Sequence, residues 1–311
     1  AFIYPGQGAQ KAGMGADFYE NSEIARYIFD QAGEELDLDM KELCFEENDR
    51  LDLTEYTQAA MVTTCLAMTR VAESKGLKAD ITAGLSLGEY PAIAAAGGMN
   101  DMDAIRLVRK RGILMQNTVP AGEGAMCAVI SMAAEEIEKV IEPIADVSVA
   151  NYNCPGQIVI TGKTDAVEEA AAKLKEAGAR RTIMLNVSGP FHSQMLVPAG
   201  EKLAEELEHT RFHELRIPYV TNVTAEKVTD IRETPGLLTT QISSPVRWMQ
   251  SMERMIADGV DTFVEIGPGK TLEGFLRKID QSVKVFHISQ WEDVDKVCTE
   301  LADSGKMMEE A

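Results

Sequence analysis

Short apolar runs alternate along this chain with longer stretches whose apolar residues recur at helical spacing. That alternation predicts an α/β protein with a largely parallel sheet. Residues 1–4 read as a strand that stops at the turn-rich Pro5-Gly6-Gln7-Gly8, and 57–75 as a helix with an apolar stripe. Ile81-Thr82-Ala83 reads as a brief strand running into Gly84-Leu85-Ser86-Leu87-Gly88 and then a helix of small residues. Residues 262–266 form another strand, broken at Gly267-Pro268-Gly269 before a further helix.

The segment 124–187 has a different character. Strand-like runs at 126–131, 147–151, 157–161 and 181–187 are joined by helical stretches at 134–144 and 164–176, with a turn at Cys154-Pro155-Gly156. The order is β-α-β-β-α-β, which is ferredoxin-like. Its edges carry Gly122, Gly124 and Gly189, as insertions into loops usually do. The expected organisation is a discontinuous large α/β domain, residues 1–123 and 189–311, holding a small domain of residues 124–188.

Composition narrows the function. The 311 residues are 45% hydrophobic and 26% charged, enough apolar material for a sizeable core, which excludes global disorder. Fifty acidic against 30 basic residues give a net charge of −20, a balance that repels phosphate backbones and anionic lipid. Nucleic acid and membrane are therefore not expected partners. No apolar run approaches the roughly 20 residues of a membrane helix, and no basic-then-hydrophobic leader opens the sequence. Cys44, Cys65, Cys127, Cys154 and Cys298 are odd in number and without a CxxC pair, which fits neither a disulfide framework nor zinc spacing. They read as small buried hydrophobes in a reducing cytoplasm, and no metal site is expected.

Gly84-x-Ser86-x-Gly88 between a strand and a helix has the nucleophile-elbow pattern. A serine on such a turn sits in strained backbone, flanking glycines let neighbouring chain pass, and the next N–H can face an oxyanion. The plainer reading is a serine cap in a glycine-rich loop. A nucleophilic serine needs a base, and the chain has four histidines. His209 and His213 lie in a charged stretch and read as solvated; His287 lies in a strand-like run and reads as a core histidine. His192, in a loop at the domain junction, is the favoured base. A serine hydrolase or thioesterase of related fold would instead nominate Ser86, Asp261 and His287.

Residues 100–118 read as a helix whose apolar stripe (Ala104, Leu107, Val108, Met115) also contains Arg111; Arg106, Arg109 and Lys110 point elsewhere and read as solvated. A guanidinium on an apolar face needs an anionic partner. Either a structural salt bridge or a site for a ligand carboxylate, gripped in bidentate fashion, satisfies it. Gly267-Pro268-Gly269-Lys270-Thr271 and Gly6-Gln7-Gly8 fail as phosphate-binding fingerprints, because Val264 and Lys11 stand where glycine is needed; both read as tight turns facing a common site.

Taken in chain order, Tyr4-Pro5-Gly6-Gln7-Gly8-Ala9-Gln10, Gly84-Leu85-Ser86-Leu87-Gly88-Glu89-Tyr90, Arg111-Gly112, Asn153-x-Pro155-Gly156-Gln157, Pro190-Phe191-His192-Ser193 and Glu265-Ile266-Gly267-Pro268-Gly269 resemble the malonyl-CoA:acyl carrier protein transacylases of bacterial fatty-acid synthesis. The resemblance spans about residues 2–290. The family's architecture, an α/β-hydrolase-like core with a ferredoxin-like insertion, agrees with the organisation above. The resemblance implies that Ser86 is the acylated nucleophile and His192 its base. It also implies that the N–H groups of Gln7 and Leu87 form the oxyanion hole and that Arg111 grips the malonyl carboxylate. The main-chain carbonyl of Gln241 would orient the imidazole in place of an acidic third member. Phe191 would leave little room for a 2-methyl branch.

The implied partners are malonyl-CoA and acyl carrier protein, with the coenzyme A thioester as substrate and no bound cofactor, in the cytoplasm. A non-catalytic carrier-protein-binding module is the remaining alternative; intact Ser86, His192 and Arg111 argue against it. One departure stands out: many members carry histidine before the serine, where this chain has Leu85. That leaves Ser86–His192 as the elbow dyad and removes a polar side chain from the pocket. Carrier proteins are acidic, so docking would need a local basic patch drawn from Arg180-Arg181, Lys270, Arg277-Lys278 or Lys284.

Overall fold

The structure is a computed structural model describing residues 1–303. Ten strands form two sheets: β1 (Phe2–Tyr4), β2 (Thr82–Gly84), β3 (Gly124–Ile130), β4 (Val147–Cys154), β5 (Gln157–Lys163), β6 (Arg181–Met184), β7 (Tyr219–Val220), β8 (Lys227–Val228), β9 (Thr262–Ile266) and β10 (Lys284–Ile288). The larger sheet has the order β10-β9-β1-β2-β7-β8. It is parallel from β10 through β7, and only β8 runs against its neighbour.

Both faces of this sheet are covered, as parallel sheets require. Along β1, Phe2 and Tyr4 enter one apolar core while Ile3 enters another, the period-two alternation of a strand. The helix Thr54–Ser74 fills the first core and is buried almost all round, not only along a stripe as the periodicity predicts. Its threonines tolerate this because Thr57, Thr63 and Thr69 return their hydroxyls to the carbonyls of Leu53, Ala59 and Cys65. Trp248, Met252 and Met255, on the helix Trp248–Ala257, pack on the opposite face with Phe263 and Leu272.

The smaller sheet, order β4-β5-β3-β6, is antiparallel throughout and buries one face under the helices Ala134–Ile141 and Thr164–Glu176. Strand and helix order follow the sequence pattern. The first of these helices ends three residues early, and β6 ends at Met184 rather than 187, because the following residues leave the sheet to wall a cleft. The small sheet is tied to the loop before the helix Trp248–Ala257, where Val246 N–H donates to Ala150 O at 2.7 Å and Tyr152 N–H to Val246 O at 2.9 Å. All five cysteines are free, four of them buried. Among the described residues no helix is long and apolar enough to cross a membrane, and no cluster of His, Cys, Asp and Glu could hold a metal ion.

The turn after β2 closes so tightly that its glycines are steric necessities. A Cβ on Gly84 would lie 1.8 Å from the carbonyl oxygen of Gly88, and one on Gly88 would lie 2.2 Å from that of Tyr4. Backbone cannot swing aside as a flexible side chain can. Gly84→Ala and Gly88→Ala should each cost at least about 3 kcal/mol in urea-melt stability. Gly274→Ala, where an added methyl meets nothing within 4 Å inside the helix Thr271–Ile279, should gain up to about 1 kcal/mol.

Candidate active site

Ser86 sits at the carboxyl end of β2, first residue of a single 3₁₀ turn that leads into the helix Glu89–Ala95. Its φ of 52° is left-handed, a conformation that costs a non-glycine residue on the order of 1 kcal/mol or more unless the surroundings enforce it. Asn222 enforces it. Its Oδ1 accepts the Ser86 N–H at 2.7 Å and its Nδ2 donates to Gly84 O at 2.7 Å. A primary amide offers an acceptor and a donor side by side whatever the pH, which suits it to span such a turn.

The Ser86 hydroxyl lies 2.8 Å from His192 Nε2, and His192 Nδ1 lies 2.9 Å from the carbonyl oxygen of Gln241. A carbonyl can only accept, so Nδ1 carries the proton and Nε2 presents its lone pair to the hydroxyl. Burial, and secondarily the Arg111 charge, push the imidazole down to about 4, so it is neutral at ordinary pH. His192 has a φ of 60° in the loop leading from the smaller sheet.

Arg111 projects from the buried face of the helix Asp101–Asn117 and is 1% exposed. Burial lowers its pKa, but a guanidinium starts so high that it stays charged. Its hydrogen-bond partners are all neutral: Gln58 Oε1 at 2.9 Å, Gln241 Oε1 at 3.0 Å and Ser86 Oγ at 3.2 Å. The Tyr90 ring lies beneath it, 5.4 Å from the guanidinium carbon. The salt bridge that the sequence left open is therefore not made among the described residues. Arg109 is the one that departs from the solvated reading: it pairs with Glu55 at 2.9 Å and stacks on Tyr56.

A fully buried carboxylate completes the network. Glu89 Oε2 accepts from Gln241 Nε2 at 2.7 Å and from the Asn222 N–H at 3.2 Å. Desolvation pushes Glu89 up to about 7 against these hydrogen bonds. Gln241 Nε2 also donates to Ser86 O at 2.9 Å.

Ser86, His192 and Arg111 open onto a cleft of about 680 Å³ between the two sheets, with Gln7 and Leu87 on its wall beside the serine. Phe191, Met115, Met126 and Leu185 give it an apolar side, and Leu85 joins Leu272 and Phe275 on another. His287 and Asp261 are not part of this cleft. His287 sits on the edge strand β10, paired with Glu273 at 3.3 Å, and Asp261 accepts from the Thr262 hydroxyl. His209 is exposed, whereas His213 is half-buried instead of solvated. Of the basic residues, Lys270 adjoins the cleft-lining Thr271, and Arg181 opens the strand that runs into the cleft wall. Arg277 is tied to Glu273. Lys284 begins β10, at the end of the sheet away from the cleft.

Gln58, Glu89 and Asn222 are the parts that the pattern does not single out as site residues. A glutamine inside the apolar 57–75 stretch was the one available signal for Gln58. Asn222 follows a two-residue strand with no spacing that points to it.

The description "acyl transferase domain" matches residues 1–294. Among curated relatives, the malonyl CoA-acyl carrier protein transacylase of Bacillus subtilis (strain 168) is 43% identical over 300 residues, 95% of each chain. That of Staphylococcus aureus (strain MRSA252) is 40% identical over 94% of this chain and 96% of the relative. The malonyl CoA-acyl carrier protein transacylase of Clostridium perfringens superposes with a TM-score of 0.94 at 42% identity, covering 98% of this chain and 97% of that one. A malonyl-transacylase solved in complex with a type II PKS acyl-carrier protein superposes at 0.93 with 36% identity, covering 96% and 98%. Matched over nearly its whole length in both sequence and backbone, the chain belongs to the acyl transferase domain family.

Proposed function

We propose that this chain moves a malonyl group from malonyl-CoA to the phosphopantetheine thiol of an acyl carrier protein, through a malonyl ester on Ser86. Arg111 carries the reading: a buried cation, satisfied only by neutral groups, lies 3.2 Å from the nucleophile's oxygen. A ligand carboxylate there would meet a preorganised, desolvated fork, and relatives named for malonyl transfer are 39–43% identical.

His192 takes the Ser86 proton as Oγ attacks the thioester carbonyl. The oxyanion is held by the N–H groups of Leu87 and Gln7. On collapse the C–S bond breaks, and coenzyme A leaves as its thiol with the proton from His192. The carrier's thiol then gives its proton to His192 and attacks the ester; the C–Oγ bond breaks and Ser86 leaves with the proton that His192 returns, so kinetics are ping-pong. Gln241, through its main-chain oxygen, keeps the imidazole in the tautomer that can accept. Phe191 crowds the carbon next to the carbonyl and disfavours a 2-methyl branch. In this reading the chain's own groups supply the chemistry, with coenzyme A as part of the substrate and no resident cofactor.

The same reading takes residues 1–123 and 189–311 as one discontinuous α/β-hydrolase-like catalytic domain, with 124–188 inserted as a ferredoxin-like domain. The antiparallel order β4-β5-β3-β6 and a separate small core support that division. Lys270, Arg180 and Arg181 are the exposed cations best situated to meet an acidic carrier protein. Free cysteines suit a reducing, cytoplasmic setting.

Brief incubation with malonyl-CoA, followed by peptide mass spectrometry, should find the malonyl adduct on Ser86; an unmodified serine would sink the proposal. Arg111→Ala should lower malonyl loading by on the order of a hundredfold while acetyl loading stays within about tenfold. Equal losses would reduce Arg111 to a structural role. Because the His192 pKa is lowered, the proton-accepting form persists into acid. Single-turnover acylation should therefore stay nearly flat from pH 7 to 5.5, where an ordinary imidazole titrating near 6.5 would lose roughly tenfold.

A further inference from the structure

Glu89 has no place in the acyl-transfer steps, yet it hydrogen-bonds both Gln241 and Asn222, the residues that meet Arg111, His192 and Ser86. It is fully buried, immediately follows the elbow, and spends one oxygen, Oε2, on two donors. The first donor is the side-chain amide of Gln241. Both hydrogens of that Nε2 are committed, one to Glu89 at 2.7 Å and one to Ser86 O at 2.9 Å. The amide can then point only its Oε1 at Arg111, where it meets Nη2 at 3.0 Å. Were the amide reversed, an N–H would face the guanidinium and nothing would hold that end of the fork. The second donor is the main-chain N–H of Asn222, whose side chain spans the strained turn at Ser86.

We propose that Glu89 is a positioning residue: its Oε2 sets the orientation of the Gln241 amide, and hence the carboxylate-gripping face of Arg111, while anchoring the Asn222 backbone that holds Ser86. The assignment rests on the acyl-transfer reading above. Hydrogen-bond acceptance carries the effect, not charge. Glutamine at this position can put a carbonyl oxygen where Oε2 stands, whereas methionine fills the space without an acceptor. The two explanations also differ in sign, because removing a negative charge near Arg111 would by itself strengthen its hold on a carboxylate.

The test compares single-turnover malonyl and acetyl loading in the full chain, with thermal melts as a folding control. In wild type, the Ser86 adduct must form; its absence would remove the acyl-transfer reading itself. Given that adduct, Glu89→Met should lower malonyl loading by on the order of a hundredfold and acetyl loading by on the order of tenfold, because the Gln241 arm holds Arg111 for the malonyl carboxylate in addition to its bond to Ser86 O. Glu89→Gln should recover most of both. Gln241→Met, which keeps the main-chain carbonyl for His192 but loses the amide, should lower malonyl loading well beyond acetyl loading. It stands as the independent check should E89M fail to fold. An unchanged or raised malonyl-to-acetyl ratio in E89M or Q241M, or an E89Q as impaired as E89M, would overturn the assignment.

Discussion

A permanent cation is buried against a serine hydroxyl, and most of the site's architecture answers to that constraint. Desolvating a guanidinium without a carboxylate partner is costly, and here the cost is met by amide oxygens and an aromatic face instead of an ion pair. Neutral partners leave the charge available. An ion pair would have quenched it and closed the cleft to an anionic substrate. The same cation lowers the neighbouring imidazole's affinity for a proton, though burial does more, so His192 is neutral.

The elbow shows how strain is distributed. Ser86 stands in left-handed backbone because Gly84 and Gly88 let the turn fold onto itself and onto the end of β1, and because one asparagine side chain clamps both sides of it. Two glycines remove a clash; Asn222 supplies the hold. Neither is sufficient alone, and they come from positions well over a hundred residues apart in sequence. The geometry of Ser86 is thus a property of the folded large sheet, with the short motif as one component.

The cleft lies between two sheets; Met126, Ala128, Ala150 and Val159 of the small sheet join the same core as Phe2 and Tyr4, while its other face forms a core of its own, so the cleft's walls have different origins. The loops at the carboxyl ends of β1 and β2 contribute Gln7, Ser86 and Leu87, and the helix Asp101–Asn117 contributes Arg111. The small sheet and the chain leaving β6 contribute Met126, Asn151, Asn153 and Leu185. The tie at Val246 joins the small sheet to the loop before the helix Trp248–Ala257.

Much of this was legible in the residues themselves. Alternating apolar runs are a local property, so the α/β class, the β-α-β-β-α-β segment and the helix bearing Arg111 could be read from periodicity. The serine between glycines, the junction histidine and an arginine on an apolar face are likewise conspicuous where they stand. What periodicity could not reveal was Asn222, Gln58 and the role of Glu89, since an amide or carboxylate in a loop or buried helix carries no spacing that names its partner. Nor could it decide whether Arg111 meets a carboxylate of its own chain. Local pattern determines which groups are present and which face they share; only the packing of distant segments decides which donor meets which acceptor, because hydrogen bonds act over about 3 Å and the chain brings those atoms together only once the sheets have closed.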